Sequence, residues 1–182
     1  PNSFNLEVDR AALLRDDLNR SDKEPLRYGY VHAVDLFFTD MASYDELDSQ
    51  VAIWQLEIIS KDAYSIRLHF DRFDISPEGS FFVYNSKGKF LKGPVSSDDL
   101  VLDQYLTISL IPGDRVILEY NQPIHVKDHP DIHISEVIHD YRNILERFNQ
   151  DDCNLDVSCL DTNAYDDIIR SVVQVDMGGY LC

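Results

Sequence analysis

Three histidines recur at four-residue intervals, a spacing that could support metal chemistry. On an α-helix, His125, His129 and His133 would lie on one face, where their imidazoles could ligate a metal ion. Pro130 lies inside this stretch and argues against such a helix, because proline lacks a backbone donor and clashes with the preceding turn. On a strand or a loop the three side chains would scatter. We therefore expect no metal centre here.

Carboxylates are the second group of residues that could bind a ligand. The pairs Asp71 with Asp74 and Asp98 with Asp99 could offer oxygens to calcium. Neither pair belongs to the ordered loop of a helix-loop-helix calcium site, so solvated turn aspartates are the favoured interpretation. The sequence also lacks a phosphate-binding loop and a dinucleotide glycine motif, and we expect no cofactor.

The sequence contains no local signature of a catalytic triad. A Ser-His-Asp hydrolase needs a nucleophile, a base and an orienting carboxylate, and no Gly-x-Ser-x-Gly elbow is present. We therefore assign no catalytic residue. His139, beside Asp140 and Tyr141, is expected to make a structural hydrogen bond.

All three cysteines lie within the last thirty residues, at Cys153, Cys159 and Cys182. In a secreted protein an odd number implies a partner elsewhere or a free thiol. A bond between Cys153 and Cys159 is a further alternative, although it would close only a small loop.

The charge of the chain excludes several classes of partner. Its 182 residues contain 16 Lys and Arg against 33 Asp and Glu, for a formal net charge of -17. This charge repels nucleic-acid phosphates and anionic lipid surfaces. No apolar run approaches the roughly eighteen residues that a membrane helix needs. We expect a soluble protein that binds neither nucleic acid nor membrane.

The pattern of residue types divides the chain into four parts. Residues 1–26 are a lead-in whose segment 6–20 is compatible with a short amphipathic helix. Residues 27–142 form short Val-, Ile-, Phe- and Tyr-rich runs separated by turn residues, which is typical of an antiparallel β-domain. Residues 143–152 are polar and are interpreted as a linker, and residues 153–182 begin a second module.

Seven strands can be placed within the β-domain. They are expected at residues 28–38, 51–59, 65–73, 80–85, 105–110, 115–120 and 132–141. Trp54 alternates with other apolar residues and is expected in the core. Gly93 and Pro94 are expected to mark a corner, and residues 111–114 to form a hairpin turn. Such a series of short strands predicts a two-sheet antiparallel β-sandwich of jelly-roll or related topology.

The C-terminal segment resembles the start of the mature catalytic domain of secreted bacterial, lysyl endopeptidase-like serine proteases of the trypsin fold. The matching residues are Cys153, Asn154, Asp156, Val157, Cys159, the run 167–172, Leu181 and Cys182. Residues 27–142 are similar to the N-terminal non-catalytic region of such precursors. The segments that match there are 51–58, 68–70, 79–84, 111–114 and 118–120, together with Ser60, Ala63, Phe73 and Gly93.

The resemblance implies a role for each part of the chain. The β-domain would be a pro-region or accessory domain of a secreted endopeptidase cleaving after Lys or Arg, and its partner would be the downstream protease domain. Residues 153–182 would contain the first strand of the trypsin-like barrel, with the triad beyond residue 182. Cys153, Cys159 and Cys182 would each pair with a downstream cysteine. A β-sandwich module that binds carbohydrate or another protein is the alternative.

The resemblance also predicts a processing site in the linker. Trypsin-like enzymes are commonly matured by a cut after a basic residue in an exposed segment. Arg147 fits this requirement best, and the cut would leave Phe148 as the new N-terminus. Arg142 is the less favoured neighbour, and retention of the uncut sandwich is the alternative.

The first prediction is that the purified 182-residue chain hydrolyses neither Lys- nor Arg-containing peptide substrates, because it carries no assigned base, nucleophile or oxyanion donors. Fluorogenic peptide assays test this. Turnover that is abolished by a serine-directed inhibitor would overturn the prediction.

Overall fold

The structure of the protein is a computed structural model that describes residues 1–21, 23–97, 105–149 and 177–181. In the helix at residues 144–149, side chains are described only up to residue 146. It is mainly β, with several antiparallel sheets. The strands are β1 (Asn2–Leu6), β2 (Leu26–Arg27), β3 (Gly29–Phe37), β4 (Ser43–Leu47), β5 (Val51–Ser60), β6 (Ser65–Asp74), β7 (Ser80–Asn85), β8 (Leu91–Val95), β9 (Leu106–Pro112), β10 (Arg115–Pro123), β11 (Asp131–Asp140) and β12 (Tyr180–Leu181). The helices are α1 (Arg10–Asp17), α2 (Phe38–Met41) and α3 (Ile144–Asn149). None of the helices in the described ranges has the length and apolar character needed to cross a membrane.

Two larger sheets contain most of the strands. In the first, β5, β10, β7 and β8 are neighbours in that order, and all of these pairs are antiparallel. The outer edge of β5 is shared: β4 pairs with its first half in antiparallel orientation and β1 with its second half in parallel orientation. The second sheet has the order β3-β11-β6-β9 and is antiparallel throughout.

Side chains from both sheets form one hydrophobic core. Strand β5 alternates strictly, so that Trp54 and Leu56 are buried as the sequence predicted. Phe81 on β7 meets Phe70 and Phe73 of the other sheet edge-on, with ring centroids 5.8 Å and 5.1 Å away. Edge-to-face contacts between aromatic rings stabilise the core in addition to the burial of apolar area.

Strand β11 departs from simple alternation. The sequence predicts Ile134, Val137 and Ile138 on one apolar side, and this prediction is wrong for Ile138. A register shift between Ile134 and Glu136 puts Ile134 and Val137 in the shared core, whereas Ile138 belongs to a separate cluster. Such a bulge inserts one residue and changes which side chains share a face.

Two of the predicted turns have a different role in the structure. Strands β9 and β10 flank residues 111–114 but pair with β6 and with β5 and β7, so this turn connects the two sheets and is not a hairpin. Gly93 and Pro94 lie within strand β8 and do not form a corner. A proline-glycine pair indicates that the chain can reverse its direction there. It does not indicate which strand the following residues will pair with.

The lead-in and the first part of the linker have regular structure. Helix α1 begins after Asp9, whose carboxylate accepts a hydrogen bond from the Ala12 backbone at 2.9 Å. Strand β1 precedes it, and the sequence did not predict this strand. Helix α3 begins one residue after the start of the predicted linker.

Two histidines in the second sheet have pKa values shifted in opposite directions. His139 is buried, and its Nδ1 lies 2.8 Å from the hydroxyl of Ser60, which is the structural hydrogen bond expected from the sequence. Burial, with repulsion from His32, lowers the pKa of His139 to about 4. His133 hydrogen-bonds to Asp71, which together with Asp35 raises its pKa despite partial burial.

We expect the free energy of unfolding to fall as the pH falls from about 6.5 to about 4, because the unfolded chain binds a proton at residue 139 that the folded chain excludes. Urea unfolding midpoints measured across this range test it. His139→Gln should flatten the acid-induced decrease. His133→Gln should steepen it, because a raised pKa stabilises the folded state at low pH. Equal pH dependence in all three proteins would contradict the assignment.

Candidate docking site for the C-terminal segment

Tyr180 and Leu181 pair with β2, the short strand at the end of the lead-in. In this antiparallel ribbon of β2 and β12, Tyr180 is opposite Arg27 and Leu181 is opposite Leu26. The Gly179 carbonyl accepts backbone hydrogen bonds from both Tyr28 and Gly29, at 2.8 Å and 3.0 Å. Residues 177–181, the described part of the C-terminal segment, are therefore joined to the β-domain by main-chain hydrogen bonds.

Two glycines make this close approach possible. A Cβ atom at Gly29 would lie 2.6 Å from the Cγ2 atom of Ile138 and 3.3 Å from the Gly179 Cα atom. Gly179 has a φ of +89°, and a Cβ atom there would lie 2.8 Å from the Gly29 carbonyl oxygen. A side chain at either position would push the two backbones apart.

Apolar side chains support the ribbon from one side. Tyr28, Ile138 and Ile144 are fully buried together, and Leu181 of the C-terminal segment packs against them. We call the set of Tyr28, Ile138, Ile144, Val31, Leu110 and Leu181 the outer cluster. The C-terminal segment and helix α3 thus complete a second, smaller core, whose apolar burial stabilises the docked arrangement.

A carboxylate from the lead-in holds strand β2 in place. Asp17, at the end of α1, pairs with Arg27 at 2.6 Å and accepts a hydrogen bond from the Tyr141 hydroxyl at 2.7 Å. It also forms an ion pair with Arg142. Burial alone would raise the pKa of Asp17, but the hydrogen bonds from Tyr141, Arg142 and Arg27 outweigh burial and lower it. The pair is largely shielded from water, so removing one partner would leave a costly unpaired charge.

A second buried carboxylate starts helix α3. Asp140 accepts hydrogen bonds from the Ser65 hydroxyl at 2.7 Å, the Arg142 amide at 2.8 Å and the Ile144 amide at 3.1 Å. The bond from Ile144 satisfies one of the backbone donors that the first turn of a helix leaves unpaired. Arg147 and Phe148, which form the predicted processing site, lie within helix α3.

The structure brings together few of the residues that the sequence singled out. His125 lies 3.4 Å from a Glu78 carboxylate oxygen, and the ring of His129 meets Trp54 edge-on at 5.7 Å. His133 is on the outer face of the second sheet. Among the described residues, no group of three His, Cys, Asp or Glu side chains is arranged so that it could hold a metal ion. The predicted disulfide residues Cys153, Cys159 and Cys182, and the pair Asp98 and Asp99, lie outside the described residues.

His133 is the one of these three histidines whose two ring nitrogens both contact carboxylates. Its Nδ1 lies 2.5 Å from Asp71 and its Nε2 lies 2.7 Å from Asp35, so that both ring nitrogens face carboxylates. Phe37 covers the ring, with centroids 4.6 Å apart. A doubly protonated imidazole can donate to both aspartates at once and would link β3, β11 and β6.

The docking residues were not found by sequence reasoning, although one signal was present. Gly29 stands inside an otherwise β-rich run, and an isolated glycine in a strand can mark a close backbone approach. Asp17 carried no comparable signal, because one aspartate among 33 acidic residues does not stand out.

No protein-family model matches this chain, and no curated protein matches it. The likeness to lysyl endopeptidase-like precursors therefore depends on the residues quoted from the sequence.

We expect Gly179→Ala to weaken the docking of the C-terminal segment, because the new methyl group would meet the Gly29 carbonyl at a position whose φ already disfavours alanine. Hydrogen exchange at the Tyr28 and Gly29 amides, which donate to Gly179, measures the loss. We expect exchange to accelerate about tenfold or more, a free-energy change above about 1.4 kcal/mol.

The matched control is Gly178→Ala. Gly178 also has a positive φ, +57°, but a Cβ atom there meets nothing within 4 Å. Exchange at Tyr28 and Gly29 should change much less in this variant. Equal acceleration in the two variants would indicate that backbone strain, and not the contact with Gly29, controls docking.

Proposed function

We propose that this chain is the N-terminal, non-catalytic region of a secreted trypsin-like serine endopeptidase precursor and that it acts as the pro-region. The full protein, in this proposal, cleaves its substrates after Lys or Arg. In this proposal residues 27–142 are a jelly-roll β-sandwich, and residues 153–182 contain the first strand of the protease domain. The fragment itself is catalytically silent.

The strand orders support the jelly-roll topology. Eight strands, β3 and β5 to β11, divide into the orders β3-β11-β6-β9 and β5-β10-β7-β8, with the edge strand β4 left out. Labelled B to I along the chain, these orders read B-I-D-G and C-H-E-F, the pairing of two Greek keys in a jelly roll. The additional strands β1 and β4 extend only the free edge of β5.

The observation that carries the functional proposal is the pairing of β12 with β2. Tyr180 and Leu181 belong to the segment that resembles the start of the protease, and they form a ribbon with the β-domain. A pro-region that assists folding or holds a protease inactive must bind part of that protease. Main-chain pairing beside the outer cluster supplies such a binding site.

The cut between Arg147 and Phe148 would require helix α3 to open. A trypsin-like active site binds its substrate in an extended form, and helix α3 has only six residues. Helices this short are marginal without tertiary support, which here comes from Asp140 and from the burial of Ile144. Local opening of α3 would therefore control processing.

Expression of the precursor that continues beyond Cys182 tests the proposal. N-terminal sequencing of the matured protease should give a chain that begins at Phe148, and the fragment ending at Arg147 should co-purify with it through the β2–β12 ribbon. Arg147→Gln should block maturation. Arg15→Gln, in the exposed part of α1, is the control and should mature normally.

A mature protease that begins upstream of Arg27 would contradict the pro-region role. A precursor without a histidine base and partner cysteines after residue 182 would contradict the protease assignment itself and would favour the alternative, a module that binds carbohydrate or protein.

A further inference from the structure

A cleft lies at one end of the two sheets, between three short loop segments. One wall is the turn between β7 and β8, with Lys87, Lys89 and Phe90, and another is the turn at 112–114. Tyr64 forms a third side, and the volume of the cleft is about 630 Å³. This volume lies within the usual size of small-molecule sites.

Asn85 ties two walls of the cleft together. Its side-chain amide donates to the Pro112 carbonyl at 3.1 Å, and its side-chain oxygen accepts from the backbone amides of Lys89 and Phe90 at 3.0 Å and 3.2 Å. The third wall is joined by the Gly113 amide, which donates to the Tyr64 carbonyl at 2.8 Å. The cleft is thus held open by protein contacts before any ligand binds.

Two lysines line this cleft and contribute positive charge to it. Six described cations form ion pairs, namely Arg20, Arg27, Lys61, Arg72, Arg115 and Arg142. Lys87 and Lys89 are exposed and are paired with no carboxylate among the described residues. Residues 85–97 contain three lysines and no acidic residue, in a chain whose net charge is -17. With two lysines and one aspartate, the lining of the cleft carries a net positive charge on an acidic protein.

The remaining groups of the cleft suit a ring-shaped ligand. Tyr64 is 40% exposed, and the Arg10 guanidinium lies 5.3 Å from its ring centroid, which fixes the ring's position. Asp114 lines the cleft beside it and can accept a hydrogen bond from a hydroxyl. An aromatic surface, two ammonium groups and one carboxylate match the CH face, the carboxylate and the hydroxyls of an acidic sugar.

We propose that this cleft binds a uronic acid unit of an acidic oligosaccharide. Lys87 and Lys89 bind the sugar carboxylate, Tyr64 packs against the ring and Asp114 accepts from a hydroxyl. A polyphosphate or nucleic acid carries a higher charge density, and the net charge of -17 repels it more strongly. This proposal does not depend on the relation to a protease.

Titration of the full 182-residue chain with a trimer of galacturonic acid tests the proposal, with amide chemical shifts as the readout. The acidic trimer should bind, and its fully methyl-esterified form should bind at least about tenfold more weakly, because a charge-assisted hydrogen bond is lost. The Lys87→Gln, Lys89→Gln double variant should lose about tenfold in affinity for the acidic trimer.

Lys92→Gln is the matched control, since Lys92 lies in the same hairpin but does not line the cleft. It should bind the trimer as the unchanged chain does, and thermal unfolding should be the same for all three proteins. Absence of binding, equal binding of the methyl ester, or equal loss in Lys92→Gln would overturn the proposal. So would equally tight binding of inorganic phosphate, which would indicate a simple anion site.

Discussion

The register shift in β11 is the constraint on which the two hydrophobic clusters depend. Without it, strict alternation would put Ile134 and Val137 on opposite faces of the sheet. The extra residue lets both enter the shared core and turns Ile138 outward, where it supports Tyr28 and Leu181. One central strand therefore organises the core between the sheets and the surface on which the C-terminal segment docks.

Charge imposes the second constraint. An excess of acidic residues destabilises a compact fold unless carboxylates are paired or remain in water. At the buried positions the chain pairs them: Asp17 receives two arginines and a tyrosine hydroxyl, and Asp140 receives a hydroxyl and two backbone amides. Both carboxylates lie around β2 and the end of β11, so ion pairs and hydrogen bonds connect the elements that form the docking site.

The sequence predicted those features that depend on local pattern. The strands at 51–59 and 80–85 and the burial of Trp54 follow from period-two alternation, and the structure contains them. The role of residues 111–114 could not be predicted, because a reversal between two strands looks alike whether they pair or enter different sheets. The ion pair of Asp17 with Arg142 and its hydrogen bond from Tyr141 join residues more than a hundred positions apart, and no local spacing reveals such contacts.

The docking site and the cleft are joined through the end of β11. The Tyr64 amide donates to the Asp140 carbonyl at 2.9 Å, and Arg10, which packs over Tyr64, also donates to the Tyr141 carbonyl at 2.8 Å. A ligand at one site can influence the other only if the residues between them have two arrangements with different affinities. Asp140 is fully buried and each of its carboxylate oxygens already accepts a hydrogen bond, so a different arrangement would have to break a buried hydrogen bond. The hydrogen bonds from Tyr64 and Arg10 to the end of β11 therefore connect the cleft to the region on which residues 177–181 dock.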